Sequence, residues 1–421
     1  MLDINLLRTS PDLVKQSLVN RQKDPGILDK VLESDKTYRE LLSQVEKLRA
    51  DQNAISRDIK GKPTDDQRKS ALEIKNQLKN FEQKLTEAEI IRDNLFEEIP
   101  NIPSEDTPIG KDDSENVVIK TVGVKPGFDF KPLDHQDLGQ KLDIIDKEKA
   151  GQLSGSRFGY YKNEGAILEM AIMFYTMKKL STLGFHPMLP PLMVKSKTEW
   201  GCGYASNKNL FNAYYSIPDD DLVFISSSEH SVVPYHSNEI LDSSVLPLKY
   251  VNFTPCFRRE SGTYGKDMKG MLRVHHFNKV EMNVFTLPDF QVSDAMCLEM
   301  LAIEEGILQD FGLHYQIVKA CTGDLPQPNR RMYDINTWFP GLGEYKETGS
   351  CSNCGDYQSR RLNTKVKING KSEFIHILNS TAVSDRPFLA ILENFQQKDG
   401  SILIPKCLQP YTNFSVISPK T

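Results

Sequence analysis

The sequence predicts an α+β protein: an N-terminal antiparallel α-helical coiled-coil hairpin, then a larger domain built on an antiparallel β-sheet flanked by helices. Three observations predict it. Residues 27–99 repeat by sevens around one glycine-proline break. An apolar helix runs from Ala166 to Leu183. Short segments of strand pattern surround and follow the middle of the chain: KYVNFT, VEMNVFTL, HYQIVKA and FIHILN. The chain's 421 residues suffice for about two or three domains with at least one sizeable core.

The hairpin comes first. Ile27, Ser34, Leu41, Leu48 and Ile55 form one row; Val31, Tyr38, Val45, Gln52 and Ile59 form the other. The pattern stops at Gly61-Lys62-Pro63, where glycine and proline break a helix. It restarts with Ala71, Leu78, Leu85 and Ile99, Arg92 interrupting that row, and with Ile74, Phe81, Ala88 and Leu95. Two stripes of similar length around a tight turn predict arms that each reach roughly 50 Å. A hairpin this thin holds no globular core, so it projects. Its distal half is basic through Lys47, Arg49, Arg57, Lys60, Lys62, Arg68, Lys69, Lys75 and Lys79. The ordinary meaning of such charge is a solvated face; the functional one is a basic tip that lies along a phosphate backbone.

The expected organisation is an N-terminal domain over 1–100, a linker and lead-in segment over 101–150, a catalytic-sized domain over 151–412 and a loose tail over 413–421. The linker is rich in proline, glycine and acid (PNIPSEDTPIGKDDSEN). Composition is that of a soluble globular protein, with 39% apolar and 26% charged residues. No run of about 18 apolar residues predicts a membrane span. The opening MLDINLLRTSPDLVKQ lacks a secretory pattern and carries acids early, against a transit peptide. Seven cysteines, odd in number and mostly scattered, suggest a reducing compartment, hence a cytoplasmic location. A net charge of −5 makes any contact with nucleic acid local rather than global.

The densest chemistry lies in FRRESGTYGKDMKGMLRVHHFNKVE, residues 257–281. An apolar strand delivers Arg258, Arg259 and Glu260. A loop with Gly262, Gly265, Gly270, Lys266, Lys269 and Arg273 follows, and a second strand returns through Val274, Phe277 and Glu281. Guanidinium forks bind phosphate or carboxylate oxygens in pairs, a cationic glycine loop suits polyphosphate, and Phe277 offers a flat face to a base.

These residues resemble motif 2 of a class II aminoacyl-tRNA synthetase, and specifically the bacterial-type seryl-tRNA synthetase family. The resemblance covers nearly the whole chain. The hairpin is similar to that family's tRNA-binding arm, and FDFKPLDHQDLG with LSGSRF (153–158) looks like the approach to its catalytic domain. The helix 166–183 with Pro190-Pro191 resembles motif 1, and CTGDL, SCSNCGDYQSRR and LENFQQKDGSILIPKCLQPY match in order. Arg386 to Glu393 keeps the spacing of motif 3.

What the resemblance implies is a class II catalytic domain that activates L-serine with ATP and Mg2+, then transfers it to tRNA(Ser), with tRNA(Sec) as a further candidate. Arg258 matches the arginine at the α-phosphate and substrate carboxylate, and Arg259 lies beside it. Glu260 matches the residue facing the adenine amine. Val274, His275, His276 and Phe277 would line and stack the base. Neighbours on a strand face opposite ways, so at most one histidine enters the pocket, and taken singly both are structural. Arg386 matches the motif 3 arginine near the phosphates. Glu347 and Ser350 match magnesium-holding residues, with Thr348 and Gly349 between them in the ATP site. Ser227, Ser228, Glu229, Glu281, Asn379 and Thr381 would surround serine with Arg258. Arg49, Arg57, Lys60, Lys62, Arg68 and Lys69 would meet tRNA. The resemblance also implies a homodimer through the motif 1 helix and the Pro191 region, with the arm reaching tRNA across it.

Some residues depart from that pattern. Ser227 stands for threonine and Gly349 for serine, and Asp385 and Pro387 flank Arg386 where small residues and threonine are usual. An acid pointing at the phosphates would weaken the field of that arginine. The C-x-x-C pair Cys351 and Cys354 lacks the further soft ligands a zinc site needs, so no structural zinc is expected. Two other functions compete: a non-catalytic paralogue that only binds RNA or protein, and an offshoot loading a carrier protein. The set Arg258, Glu260, Glu281, Glu347 and Arg386 opposes the first, and the long arm opposes the second.

Overall fold

The computed structural model describes residues 1–58, 61–205, 210–260 and 270–420. Ile59 of the heptad, the tip lysine Lys60, and Gly262, Gly265, Lys266 and Lys269 of the cationic loop lie outside the described residues. The chain divides into two compact units, Met1–Pro100 and Asn101–Thr421.

Among the described residues the first unit has four helices: α1 (Ile4–Thr9), α2 (Pro11–Asn20), α3 (Gly26–Asp58) and α4 (Asp65–Phe96). Asp3 caps α1, and α4 starts in a reciprocal box in which Thr64 and Gln67 each accept from the other's backbone N–H. Every described residue of the heptad rows is buried or half-buried, which is what a two-helix seam requires. The interruption at Arg92 is accommodated rather than excluded. Its guanidinium lies 3.9 Å from the Tyr38 ring centre and pairs with Asp93 at 2.7 Å. Arg49 bridges the two long helices to Glu82 at 2.8 Å. Off the seam, Asp35 is fully buried and takes Arg8 at 2.6 Å and Arg39 at 3.0 Å. Burial alone would raise its pKa; the two guanidiniums outweigh that and hold it below the usual carboxylate range.

The second unit is built on one eight-stranded sheet. Its strands are β1 (Val117–Val122), β2 (His186–Met188), β3 (Leu248–Phe257), β4 (His276–Thr286), β5 (Tyr315–Lys319), β6 (Arg331–Phe339), β7 (Glu344–Asn353) and β8 (His376–Ser384). Their order is β1-β5-β6-β7-β8-β4-β3-β2, antiparallel throughout except for the short edge pair β2/β3. Helices α6 (Asn163–Thr182), α7 (Phe290–Asp310) and α8 (Asp385–Asn394) pack on it, and α5 (His135–Lys141) packs on α8. The central core joins them through Leu168, Ile172, Val280, Met282, Met300, Ile335, Leu378 and Phe388. The four strand-patterned segments fall on β3, β4, β5 and β8, and the apolar helix is α6.

Two expected boundaries differ. Residues 101–150 are no linker: β1 pairs with β5 as the sheet's edge, Asn101 bonds the backbone of Gln327, and Asp106 takes both Lys319 and Arg331. Proline, glycine and acid suppressed the strand signal there, although VVIKTV is β-branched. The tail is also tied down, because Val416–Ile417 pairs with Ile402–Leu403.

Candidate active site

A cavity of about 690 Å³ opens over the middle strands β6, β7, β8 and β4 and the end of β3. Strand alternation explains its lining. Phe277, Lys279 and Glu281 follow at every second position of β4 and share a face. On β8, Asn379 and Thr381 do the same, and Thr381 sits opposite Glu281. On β7, alternation would set Glu347 and Ser350 on opposite faces, since they are three apart. A bulge changes this. Asn336 pairs with Glu347 and Ile335 with Gly349, so Thr348 is the extra residue, and Glu347 and Ser350 both reach the cavity. The Thr348 hydroxyl turns away to Thr337 and to the carbonyl of Ile335.

The buried part of the cavity holds two acids in different states. Glu281 accepts from Ser227 Oγ (2.6 Å), Ser228 Oγ (2.5 Å) and the Glu229 backbone N–H (3.1 Å), and pairs with Lys279 Nζ at 2.6 Å. Lys279 also donates to Ser227 at 2.8 Å. Burial alone would raise the pKa of Glu281, but Lys279 and the two hydroxyls bring it below the usual value. Among the described residues, Glu229 has only neutral side-chain donors: Tyr204 (3.0 Å), Gln358 (2.6 Å) and Asn379 (3.0 Å). Burial first, then the charge on Glu281, push its pKa up to about 7.

The open part is cationic and acidic by turns. Arg258 lies over the Phe277 ring at 5.1 Å. Glu260, in left-handed backbone at φ 49°, is gripped by Arg273 at 2.6 Å. Arg386 Nη1 donates to the Glu347 carbonyl at 2.6 Å and faces its carboxylate at 3.3 Å. Asp334, opposite Ser350 on β6, is raised well above the usual range by burial and then by Glu347 and Asp324. Of these acids Glu347 is the exposed one, a hard oxygen donor of the kind a divalent cation takes. Among the described residues, no three His, Cys, Asp or Glu side chains form a metal-holding group by themselves, so further ligands would come from a bound phosphate.

Most expected residues meet here: Ser227, Glu229, Arg258, Glu260, Val274, Phe277, Glu281, Glu347, Thr348, Gly349, Ser350, Asn379, Thr381 and Arg386 line the cavity. Ser228 stands behind it on Glu281. Arg259 lines a separate hollow of about 240 Å³ beside it. His275 and His276 do not line it. His275 Nδ1 is 2.9 Å from the Arg258 carbonyl, and His276 is exposed, stacked on Phe257 at 5.2 Å. Of the tip residues, Arg57, Lys62 and Lys69 are exposed, Arg49 is paired with Glu82, and Arg68 pairs with Asp65 at 3.3 Å.

Three departures acquire a physical reason. A Cβ at Gly349 would overlap the Glu304 carboxylate, which is buried under the strand and accepts from Ser380 at 3.0 Å. Asp385 accepts from Tyr161 Oη (3.0 Å) and the Asn278 N–H (2.9 Å) and is hydrogen-bonded to Glu169. Burial and Glu169 raise its pKa well above the usual range, and its carboxyl oxygens are turned to Tyr161, Asn278 and Glu169 at the edge of the cavity. Pro387 sits in the first turn of α8, where a missing N–H costs nothing. Sequence reasoning passed over Lys279, Tyr204, Gln358 and Asp334, and read Arg273 as a cation of the glycine loop without its grip on Glu260. Lys279 was within reach, two residues before Glu281 on a strand; the others depend on packing. Cys351 and Cys354 are fully buried, the Cys351 sulfur lying 3.6 Å from that of Cys297.

The comparisons agree on one group. Residues 1–103 match the seryl-tRNA synthetase N-terminal domain, and residues 214–395 match the tRNA synthetase class II core domain (G, H, P, S and T). A serine–tRNA ligase of Dictyoglomus turgidum is 38% identical over 427 residues, covering 100% of both chains. One of Thermobifida fusca is 37% identical over 423 residues, covering 100% of this chain and 99% of the other. The seryl-tRNA synthetase of Pyrococcus horikoshii, solved with ATP, superposes with a TM-score of 0.91 at 36% identity over 100% of both chains. The cytoplasmic enzyme of Naegleria fowleri, solved with AMP, gives 0.87 at 30% identity over 100% of this chain and 99% of that one.

Proposed function

The chain belongs to the seryl-tRNA synthetase family, and from that premise we propose how its residues ligate serine to tRNA with ATP. The serine carboxylate attacks the α-phosphorus, a C–O–P bond forms, and pyrophosphate leaves. The ribose hydroxyl at the tRNA end then attacks the adenylate carbonyl, and AMP leaves. Neither step needs a covalent enzyme intermediate, so the protein contributes positioning and charge neutralisation.

One observation carries the reading of the amino-acid pocket: two buried acids of which one already has a cation. Glu281 is neutralised by Lys279, whereas Glu229 has only neutral donors among the described residues. The serine ammonium supplies the charge that Glu229 lacks. The serine hydroxyl joins the network of Ser227, Lys279, Glu281 and Thr381. Alanine would leave those buried groups short of a partner, and threonine would add a methyl against a filled wall.

Arg258 spans the carboxylate and the α-phosphate, and Phe277 and Val274 take the base. Arg386 turns from Glu347 to the phosphates. Glu347 and Ser350 would hold a magnesium ion, with Asp334 beside them; when bound, it neutralises phosphate charge. The N-terminal hairpin holds tRNA(Ser) through Arg57, Lys62, Arg68 and Lys69. The exposed apolar residues of α6, Ile167, Met170 and Phe174 (47, 53 and 61% exposed), form the dimer surface with the Pro191 region. The enzyme works in the cytoplasm; no helix of the described residues is long and apolar enough to cross a membrane.

Serine-dependent exchange of pyrophosphate into ATP, run over a panel of amino acids, tests the function. Exchange with serine and none with alanine or threonine is expected. No exchange with any amino acid overturns it.

A further inference from the structure

We propose that His135 is a positioning residue for the nucleotide, acting with Glu393 and Lys147 on a single peptide unit at the base of the cavity wall. The proposal rests on the adenylate-forming reading above. The wall segment Met271, Leu272, Arg273 and Val274 lines the cavity, and it begins at the peptide between Gly270 and Met271. Both polar ends of that peptide are held. Lys147 Nζ donates to the Gly270 carbonyl at 2.9 Å, and the Met271 N–H donates to His135 Nε2 at 3.3 Å.

The imidazole is held in turn. His135 and Glu393 are both completely buried. His135 Nδ1 lies 2.6 Å from Glu393 Oε1, which also accepts the His135 backbone N–H at 3.0 Å. Glu393 Oε2 accepts the Gly341 N–H at 2.8 Å. An amide N–H can only donate, so Nε2 presents its lone pair and the ring proton sits on Nδ1, directed at the carboxylate. Only a carboxylate accepts at both of its oxygens, which fixes glutamate at position 393. Close approach is written into the backbone as well. Gly270 has φ +75°, and a Cβ there would overlap the His135 ring; a Cβ at Gly159 would overlap the Met271 thioether.

The consequence is geometric. Rotation of this one peptide moves the start of the wall and with it Arg273, which grips Glu260, and Val274. Glu393 lies at the far end of α8 from Arg386, so one helix carries both a phosphate-facing arginine and the anchor of the base wall. The serine pocket, built on Ser227, Lys279, Glu281 and Asn379, shares none of these bonds.

Pyrophosphate exchange by the full chain tests this. The variants are His135→Phe, Glu393→Gln, Lys147→Met and the His135→Phe/Lys147→Met double. The singles are expected to raise KM for ATP about tenfold, with KM for serine within about twofold. The double is expected to lie close to the worse single, because both changes free the same peptide. His135→Gln, which keeps an acceptor near Nε2, is expected to recover part of the loss. Equal changes in both KM values, unchanged ATP kinetics, or additive effects in the double overturn the proposal. If His135→Phe does not fold, Glu393→Gln and Lys147→Met decide by the same split. Absent exchange in the unaltered chain instead overturns the function; normal exchange there with unaffected variants overturns only this inference.

Discussion

Serine affinity is expected to fall steeply as the solution is acidified through neutrality, because Glu229 must be ionised to take the ammonium. Burial and the nearby charge of Glu281 place its pKa at about 7 in the free pocket. Bound serine favours the anion, so the apparent dissociation constant scales inversely with the fraction of Glu229 ionised. That fraction is about nine-tenths at pH 8 and about one-tenth at pH 6, roughly a tenfold loss of affinity or about 1.4 kcal/mol. Below neutrality, binding therefore releases a proton. Calorimetry in two buffers of different ionisation heat reads that proton, and serine KM in the exchange assay reads the affinity. Glu229→Gln should bind serine weakly and with a flat profile between pH 6 and pH 8. The control matters, because His230 faces the same cavity and its pKa is also raised, burial being outweighed by Glu199 at 2.8 Å. A wild-type affinity that does not change over this range, or an unchanged slope in Glu229→Gln, would refute the assignment.

Gly349→Ser should lower the melting temperature sharply, since its Cβ overlaps the Glu304 carboxylate, and adding Glu304→Ala should restore most of the loss; calorimetric scans of the three variants check it. Asp385→Asn should keep the exchange rate at pH 8 within about threefold, because the pKa of Asp385 is raised well above the usual range and its carboxyl is turned toward Tyr161 and the Asn278 N–H. Asp35→Ala should destabilise the first unit by roughly 1–2 kcal/mol by removing the shared acceptor of the partly exposed Arg8 and Arg39, read by hydrogen exchange of α3 in the full chain. Because the folded pKa of Asp35 is depressed, its contribution in the wild type is present above the unfolded value and lost as pH falls through the folded one. Deleting residues 30–97 should spare exchange and abolish tRNA charging; charging that survives would remove the hairpin from tRNA binding.

The hairpin was legible because a heptad is local: each helix declares its own buried stripe, and even the misfit Arg92 needed only the ring of Tyr38 one helix away. The residues Arg258, Glu281 and Arg386 were legible because the segments that carry them resemble a family whose chemistry needs those groups. The edge strand β1 was not, since an edge is defined by its neighbour β5, some two hundred residues on, and local composition spoke for a linker. The direction of Asp385 was not legible either, because sequence adjacency to Arg386 says nothing about which side of a helix start is buried.

The sequence by itself determined the two-part architecture, the helical arm and the set of charged residues proposed to hold serine and ATP. Only the tertiary structure decided how those residues act. Strand register put an extra residue at Thr348 and so turned Glu347 and Ser350 to one side. Burial beside Lys279 left Glu281 ionised, while burial without a paired cation left Glu229 poised to titrate. The physical reason is the same in each case. Periodicity and residue type are properties of a segment, but register, desolvation and the sign of the nearest charge belong to the space between segments.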